Sequence, residues 1–168
     1  MTLDELNQLP ARDAQAEFLK CCGATAWARA VVSGRPFATE EELFAKADDV
    51  FSSLTDEDWL EAFRAHPKIG EKKAATAQSQ QEKSWSSQEQ TAMETASMDT
   101  VARLAKGNHE YEKRFGFIFI VCASGKSPDE MLSMLHNRLR NDAATELSVA
   151  AHEQQKITRL RLEKLLNQ

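Results

Sequence analysis

The chain contains four histidines, and their settings differ. His109, His136 and His152 fall on polar helical faces and are expected to be solvated. His66 stands at the end of a helix expected over 58–65 and directly before Pro67. Proline disfavours helical backbone in the residue ahead of it, so the helix should stop there. A histidine at such an end can turn its ring into a pocket. Its ordinary pKa, about 6.5, suits proton transfer near neutrality. The bland alternative is a ring that only complements the negative end of the helix dipole.

Other groups could assist such a histidine. The run Ser86-Ser87-Gln88-Glu89-Gln90 reads as a helix start, with Ser86 as cap and Glu89 at the reciprocal position of a capping box. A helix N-terminus also attracts anions. Arg161 lies between Leu160 and Leu162. It could run along the surface with its head in water, or clamp a carboxylate or imide in a planar fork. By chemistry alone Arg159 is an equal candidate. No His-x-x-x-His, Cys-x-x-Cys, acidic calcium loop or glycine-rich phosphate loop is present, so no metal or nucleotide site is expected.

The elements that must carry these groups read as helices. Reciprocal caps are expected at Thr2 with Glu5, Thr39 with Glu42, and Ser127 with Glu130, the last with Pro128 in the first turn. Thr55 precedes an acidic first turn. Behind the caps, Leu43, Ala47, Val50, Phe51 and Leu54 follow a spacing of three and four, as do Leu132, Leu135 and Leu139. From about Ala143 to Leu166 one broad stripe carries Leu147, Ala150, Ala151, Gln154, Ile157, Leu160 and Lys164. The expectation is an all-α, bundle-like single domain over residues 1–168, with seven or eight helices and breaks at Gly34-Arg35-Pro36 and Gly125-Lys126-Ser127.

Two stretches break the pattern. Residues 74–87 are polar and low in complexity, and read as a solvated loop or a lid beside a site. Residues 115–123 are rich in β-branched and aromatic side chains, as in a buried strand, yet no other segment offers a partner strand. A helix ending near Phe115 and then a buried, partly extended stretch is expected, with backbone groups that need partners. A polar ligand could supply some of them.

Bulk properties narrow the function. With 21 basic and 26 acidic residues the net charge is -5, which argues against a nucleic-acid partner. Six glycines and four prolines are too few for a many-stranded β fold. Cys21, Cys22 and Cys122 have no metal-like spacing and are expected to be reduced and buried, which fits a reducing compartment. Neither end of the sequence reads as a secretory or peroxisomal signal, and no apolar run reaches membrane-spanning length. A cytoplasmic protein is expected.

Four motifs in order carry a family resemblance. They are His-Pro-x-Ile-Gly at 66–70, Ser-x-x-Glu-Gln at 86–90, Tyr-x-x-x-Phe-Gly-Phe-x-Phe at 111–119, and Lys-Ile-x-x-x-Arg-Leu at 156–162. Over nearly its whole length the chain resembles 2-oxo-4-hydroxy-4-carboxy-5-ureidoimidazoline (OHCU) decarboxylases, which act at the end of the urate-to-allantoin route. The resemblance implies an all-α homodimer and cofactor-free decarboxylation to (S)-allantoin. It implies that His66 is the acid/base and Glu89 its partner. It places Ser86, Gln90 and Arg161 on polar groups of the substrate, with Ser87 and Gln88 as variable spacers within the substrate-contacting run. Pro67 and the main chain of Phe119, Ile120, Val121, Cys122 and Ala123 would line the pocket. Matching the family pattern also favours Arg161 over Arg159. Two other classes stay open: a non-catalytic helical interaction module, and a lyase or hydrolase acting on a different ureide.

Overall fold

Helix ends follow the caps written in the sequence. In the computed structural model, which describes residues 1–70, 80–89, 91, 93 and 96–167, the described residues form nine α-helices, one more than the upper expectation. Helix α1 (Leu3–Gln8) opens on the Thr2–Glu5 capping box, and α8 (Pro128–Arg138) on the Ser127–Glu130 box with proline in the first turn. Thr39 caps α4 (Glu40–Ser52) by accepting from the Glu42 amide, but the Glu42 carboxylate reaches Ala38 N–H, one residue before the cap. Thr55 and Asp58 exchange backbone-to-side-chain bonds at the start of α5 (Asp56–Arg64).

The chain forms two compact units, Met1–Ala62 with Gln155–Gln168, and Phe63–Gln154. The first holds α1, α2 (Ala11–Cys21), α3 (Thr25–Val32), α4, most of α5 and the last part of α9 (Ala143–Leu166). Phe18 and Trp27 meet edge to face at 6.0 Å in its core, and the Trp27 indole N–H finds the Ala47 carbonyl at 3.0 Å. Helix α3 has no side-chain cap of its own. Glu61 supplies one, accepting from the Thr25 amide at 3.0 Å and the Thr25 hydroxyl at 2.7 Å. Arg35 donates to the Leu6 and Leu9 carbonyls at 2.7 and 2.9 Å, satisfying acceptors left open at the end of α1.

The second unit holds α6 (Gln80–Glu89), α7 (Met98–Phe115), α8 and the first part of α9. Its core joins Leu104 and Tyr111 of α7 to Met131, Leu132 and Leu135 of α8, and to Phe119, Val121 and Ala123 of the segment between them. Helix α7 stops at Gly116, whose φ of 80° is left-handed backbone that side chains with a Cβ rarely adopt. After it, Phe117 to Ala123 form no strand and no helix, and residues 119–123 are buried, as expected.

Where α7 crosses α8, Gly107 faces Leu135. A Cβ built at Gly107 would stand 2.5 Å from Leu135 Cδ2, inside any tolerable contact. Gly107→Ala is therefore expected to overpack the pair and destabilise the protein by about 1–3 kcal/mol. That cost exceeds what alanine gains over glycine in helix propensity, about 1 kcal/mol. Urea denaturation monitored by circular dichroism measures the difference; a stabilised variant would contradict the packing.

The structure corrects two further expectations. The polar stretch read as a loop is helical over the described part, 80–87, while 74–79 lie outside the described residues. Glutamine, glutamate and lysine are good helix formers, and buried Trp85 anchors this helix despite its polar faces. Ser86 consequently lies inside α6 rather than opening a helix, with Glu89 as the last helical residue. The capping and anion-binding roles that depended on a helix N-terminus at Ser86 are overturned.

Candidate active site

His66 sits just past the end of α5. Its amide closes a turn on the Phe63 carbonyl at 3.1 Å, and its side chain is only 7% exposed. The turn that follows is gripped by α7. Asn108 donates to the Ile69 carbonyl at 2.9 Å, and Glu112, one turn further along α7, pairs with Lys68 at 2.7 Å. The turn ends on Gly70, at φ 80°, which accounts for glycine at that motif position.

The imidazole Nε2 lies 2.7 Å from Oε1 of Gln154, a residue of α9 that is 0% exposed. An amide oxygen can only accept, so Nε2 is the donor in this bond. In the neutral ring the other nitrogen, Nδ1, then holds the lone pair.

The segment 119–123 is fastened by its backbone. Cys122 N–H donates to the Glu153 carboxylate at 2.8 Å, and the Cys122 carbonyl accepts from Lys126 Nζ at 2.7 Å. The Ile120 carbonyl accepts from Arg138 at 2.6 Å. Arg138 in turn pairs with Glu146 at 2.6 Å, donates to the Tyr111 hydroxyl at 3.2 Å, and stacks its guanidinium 4.6 Å above the Phe119 ring. Tyr111 donates a short hydrogen bond to the same carboxylate, whose other oxygen accepts from Asn141 at 2.8 Å. Burial pushes the Tyr111 hydroxyl well above its ordinary range, so it stays a donor.

The expected site residues distribute as follows. His66, Ser86 and the run Phe119, Ile120, Val121, Cys122 and Ala123 are buried in the second unit. Pro67 and Glu89 are half-buried there, and Ser87 and Gln88 are exposed. Burial raises the Cys122 thiol; the backbone at Ser124 and the charge of Lys126 oppose the rise, and the charges of Glu153 and Glu89 add to it. Gln90 lies outside the described residues. Arg161 belongs to the first unit, where it is 4% exposed and donates to the Lys20 carbonyl at 3.3 Å. Burial also pushes the Cys22 thiol up to about 11, and raises Cys21 against the opposing charge of Arg161. All three thiols are free and buried. Arg159 is half-exposed and ion-paired with Asp48 and Glu163, a surface role. His109, His136 and His152 are exposed.

Glu153 and Gln154 belong to no chemical motif that the sequence displays. The available signal was a glutamine inside an otherwise apolar helical stripe, since a polar group at a buried register needs a partner. Asn108, Arg138 and Glu146 are likewise buried polar residues that no motif in the sequence marks.

The described residues combine helices without strands, a buried histidine just past a helix end, and a non-helical segment fastened through its backbone. The family model described as OHCU decarboxylase matches residues 7–163, and the chain belongs to that family. The OHCU decarboxylase of Amia calva is 34% identical over 143 residues, which is 83% of this chain and 79% of that protein. The uric acid degradation bifunctional protein TTL of Arabidopsis thaliana is 40% identical over 151 residues, which is 90% of this chain. The chain spans about half of that relative, 47% of its length. Among solved structures, an OHCU decarboxylase crystallised in the presence of (S)-allantoin superposes with a TM-score of 0.77 at 39% identity, covering 90% of this chain and 98% of that one.

Proposed function

We propose that this chain catalyses the decarboxylation of OHCU to (S)-allantoin in urate degradation, with His66 as the acid/base. The observation that carries the reading is the buried His66 ring, bonded at one nitrogen to a buried amide, in a member of this family. An imidazole that only complements a helix end needs no such burial.

The chemistry asks for few groups. Breaking the bond to carbon dioxide sends its electron pair into a neighbouring carbonyl or imine of the ring, so the substrate supplies its own electron sink. Fixed donors stabilise the developing negative charge. One proton is then delivered to one face, which sets the stereochemistry. In this reading Glu89 orients a substrate hydroxyl with His66. Ser86, Ser87, Gln88 and Gln90 form the substrate-contacting run, and Pro67 and the backbone of 119–123 line the pocket. Arg161 clamps a polar group of the substrate; burial of its guanidinium suits that role better than the surface position of Arg159. We read the protein as a cytoplasmic homodimer without a nucleic-acid partner or a resident cofactor. Light scattering on the purified chain tests the dimer.

OHCU also decays spontaneously to racemic allantoin, so substrate disappearance is a poor assay. Urate oxidase and the next hydrolase generate the substrate in place, and circular dichroism follows the product. Adding this chain is expected to give an excess of (S)-allantoin; a racemic product at every protein concentration would reject the assignment.

A further inference from the structure

One turn of α9 reaches both halves of the candidate site. Glu153 accepts from the Cys122 amide at 2.8 Å, and the next residue, Gln154, meets His66 Nε2 at 2.7 Å. Both side chains are buried, Gln154 completely. A buried glutamine amide needs partners, and the bond made at one imidazole nitrogen sets which nitrogen carries the proton. A glutamate here would stabilise the charged ring, whereas a neutral amide accepts from Nε2–H in both protonation states of the imidazole.

We infer that Gln154 is the positioning residue of the acid/base: it keeps the proton of His66 on Nε2, so that Nδ1 is the nitrogen through which the substrate's proton passes. This deepens the decarboxylase reading and rests on it. When the imidazolium gives up its Nδ1 proton to the ring carbon, it returns to the neutral Nε2–H form already bonded to Gln154, and the ring need not turn. The next proton enters at Nδ1. Glu153 holds the Cys122 amide in register with the ring through the same helical turn.

The test begins with the unsubstituted full chain labelled with ¹⁵N. Long-range proton–nitrogen correlation spectra distinguish imidazole tautomers, and His66→Asn identifies the His66 signals among the four histidines. Above its pKa, His66 is expected to be the Nε2–H tautomer with an unprotonated Nδ1. An Nδ1–H ring, or the averaged tautomers of a solvated histidine, would overturn the inference. In the coupled assay, Gln154→Leu is expected to lower kcat about 10–100-fold, as loss of an orienting partner does elsewhere, with KM little changed. Unchanged kcat would also overturn it. If that variant does not fold, the tautomer spectra of the unsubstituted chain decide. If the chain makes no (S)-allantoin, the decarboxylase reading falls, while the spectra still judge the role of Gln154 on the ring. If the chain is active but the tautomers average, only the Gln154 inference falls.

Discussion

His66→Asn is expected to remove most of the stereoselective activity, a loss of roughly 10²–10⁴ in rate. The physical basis is the scarcity of substitutes. Among the described residues, the other three histidines are exposed, and the cysteine thiols near the candidate groups are buried and protonated. Asparagine keeps a donor and an acceptor near Gln154, so the local hydrogen bond can be remade and the fold should survive. Circular dichroism in the far ultraviolet checks the fold, and the coupled assay follows the optical activity of allantoin. The spontaneous reaction still consumes the substrate, so the variant should yield allantoin without handedness. Turnover to (S)-allantoin near that of the unsubstituted chain would remove His66 from the chemistry.

The largest expected effect on stability lies at Arg138. Its guanidinium is buried and meets the wholly buried Glu146 carboxylate, the Tyr111 hydroxyl and the Ile120 carbonyl. Arg138→Ala leaves the carboxylate without its cation and the carbonyl without its donor, inside a region that water does not reach. Breaking a buried pair from one side costs about 3–5 kcal/mol, because the remaining charge keeps its desolvation penalty. At this chain length such a loss lowers Tm by roughly 6–20 °C. The reverse experiment isolates the cause. Arg138→Met combined with Glu146→Leu should cost less than the sum of the two single substitutions, because the second change removes the charge that the first one strands. Additive losses in thermal denaturation would show that the pair is not coupled. The network reaches the site through Ile120, so displacement of residues 119–123 should accompany the loss of stability in Arg138→Ala.

Much of the secondary structure was legible because its causes are local. The Thr2 and Ser127 capping boxes need only four residues each, and both formed. The stop after Phe115 needed Gly116, and the end of α5 needed Pro67. The apolar spacing of Leu43, Ala47, Val50 and Phe51 put those side chains in the core. Residues 80–87 were misread for the complementary reason. Their composition is polar, and the burial of Trp85 within α6 is a property of the folded chain that composition does not report. Ser86 was misplaced with them: Ser-x-x-Glu fits a helix start wherever it occurs, and only the helix around it shows which end is which.

For the site, the sequence by itself picked out a candidate acid/base and its setting at a helix end. It singled out His66 by the proline after it, and the buried extended segment by an apolar run with no partner strand. It also marked Arg161 as one of two arginines worth weighing. Tertiary structure decided which polar groups these meet. It set Gln154 on the His66 ring, Glu153 on the Cys122 amide, and Arg138 on the Ile120 carbonyl, across separations of 88, 31 and 18 residues. Helical period reports which face of an element is turned inward. It does not report which buried polar group lies opposite, because that depends on how helices distant in sequence cross. Each such group must find a partner or bear the cost of lost water, and only the packed chain brings the partner to it.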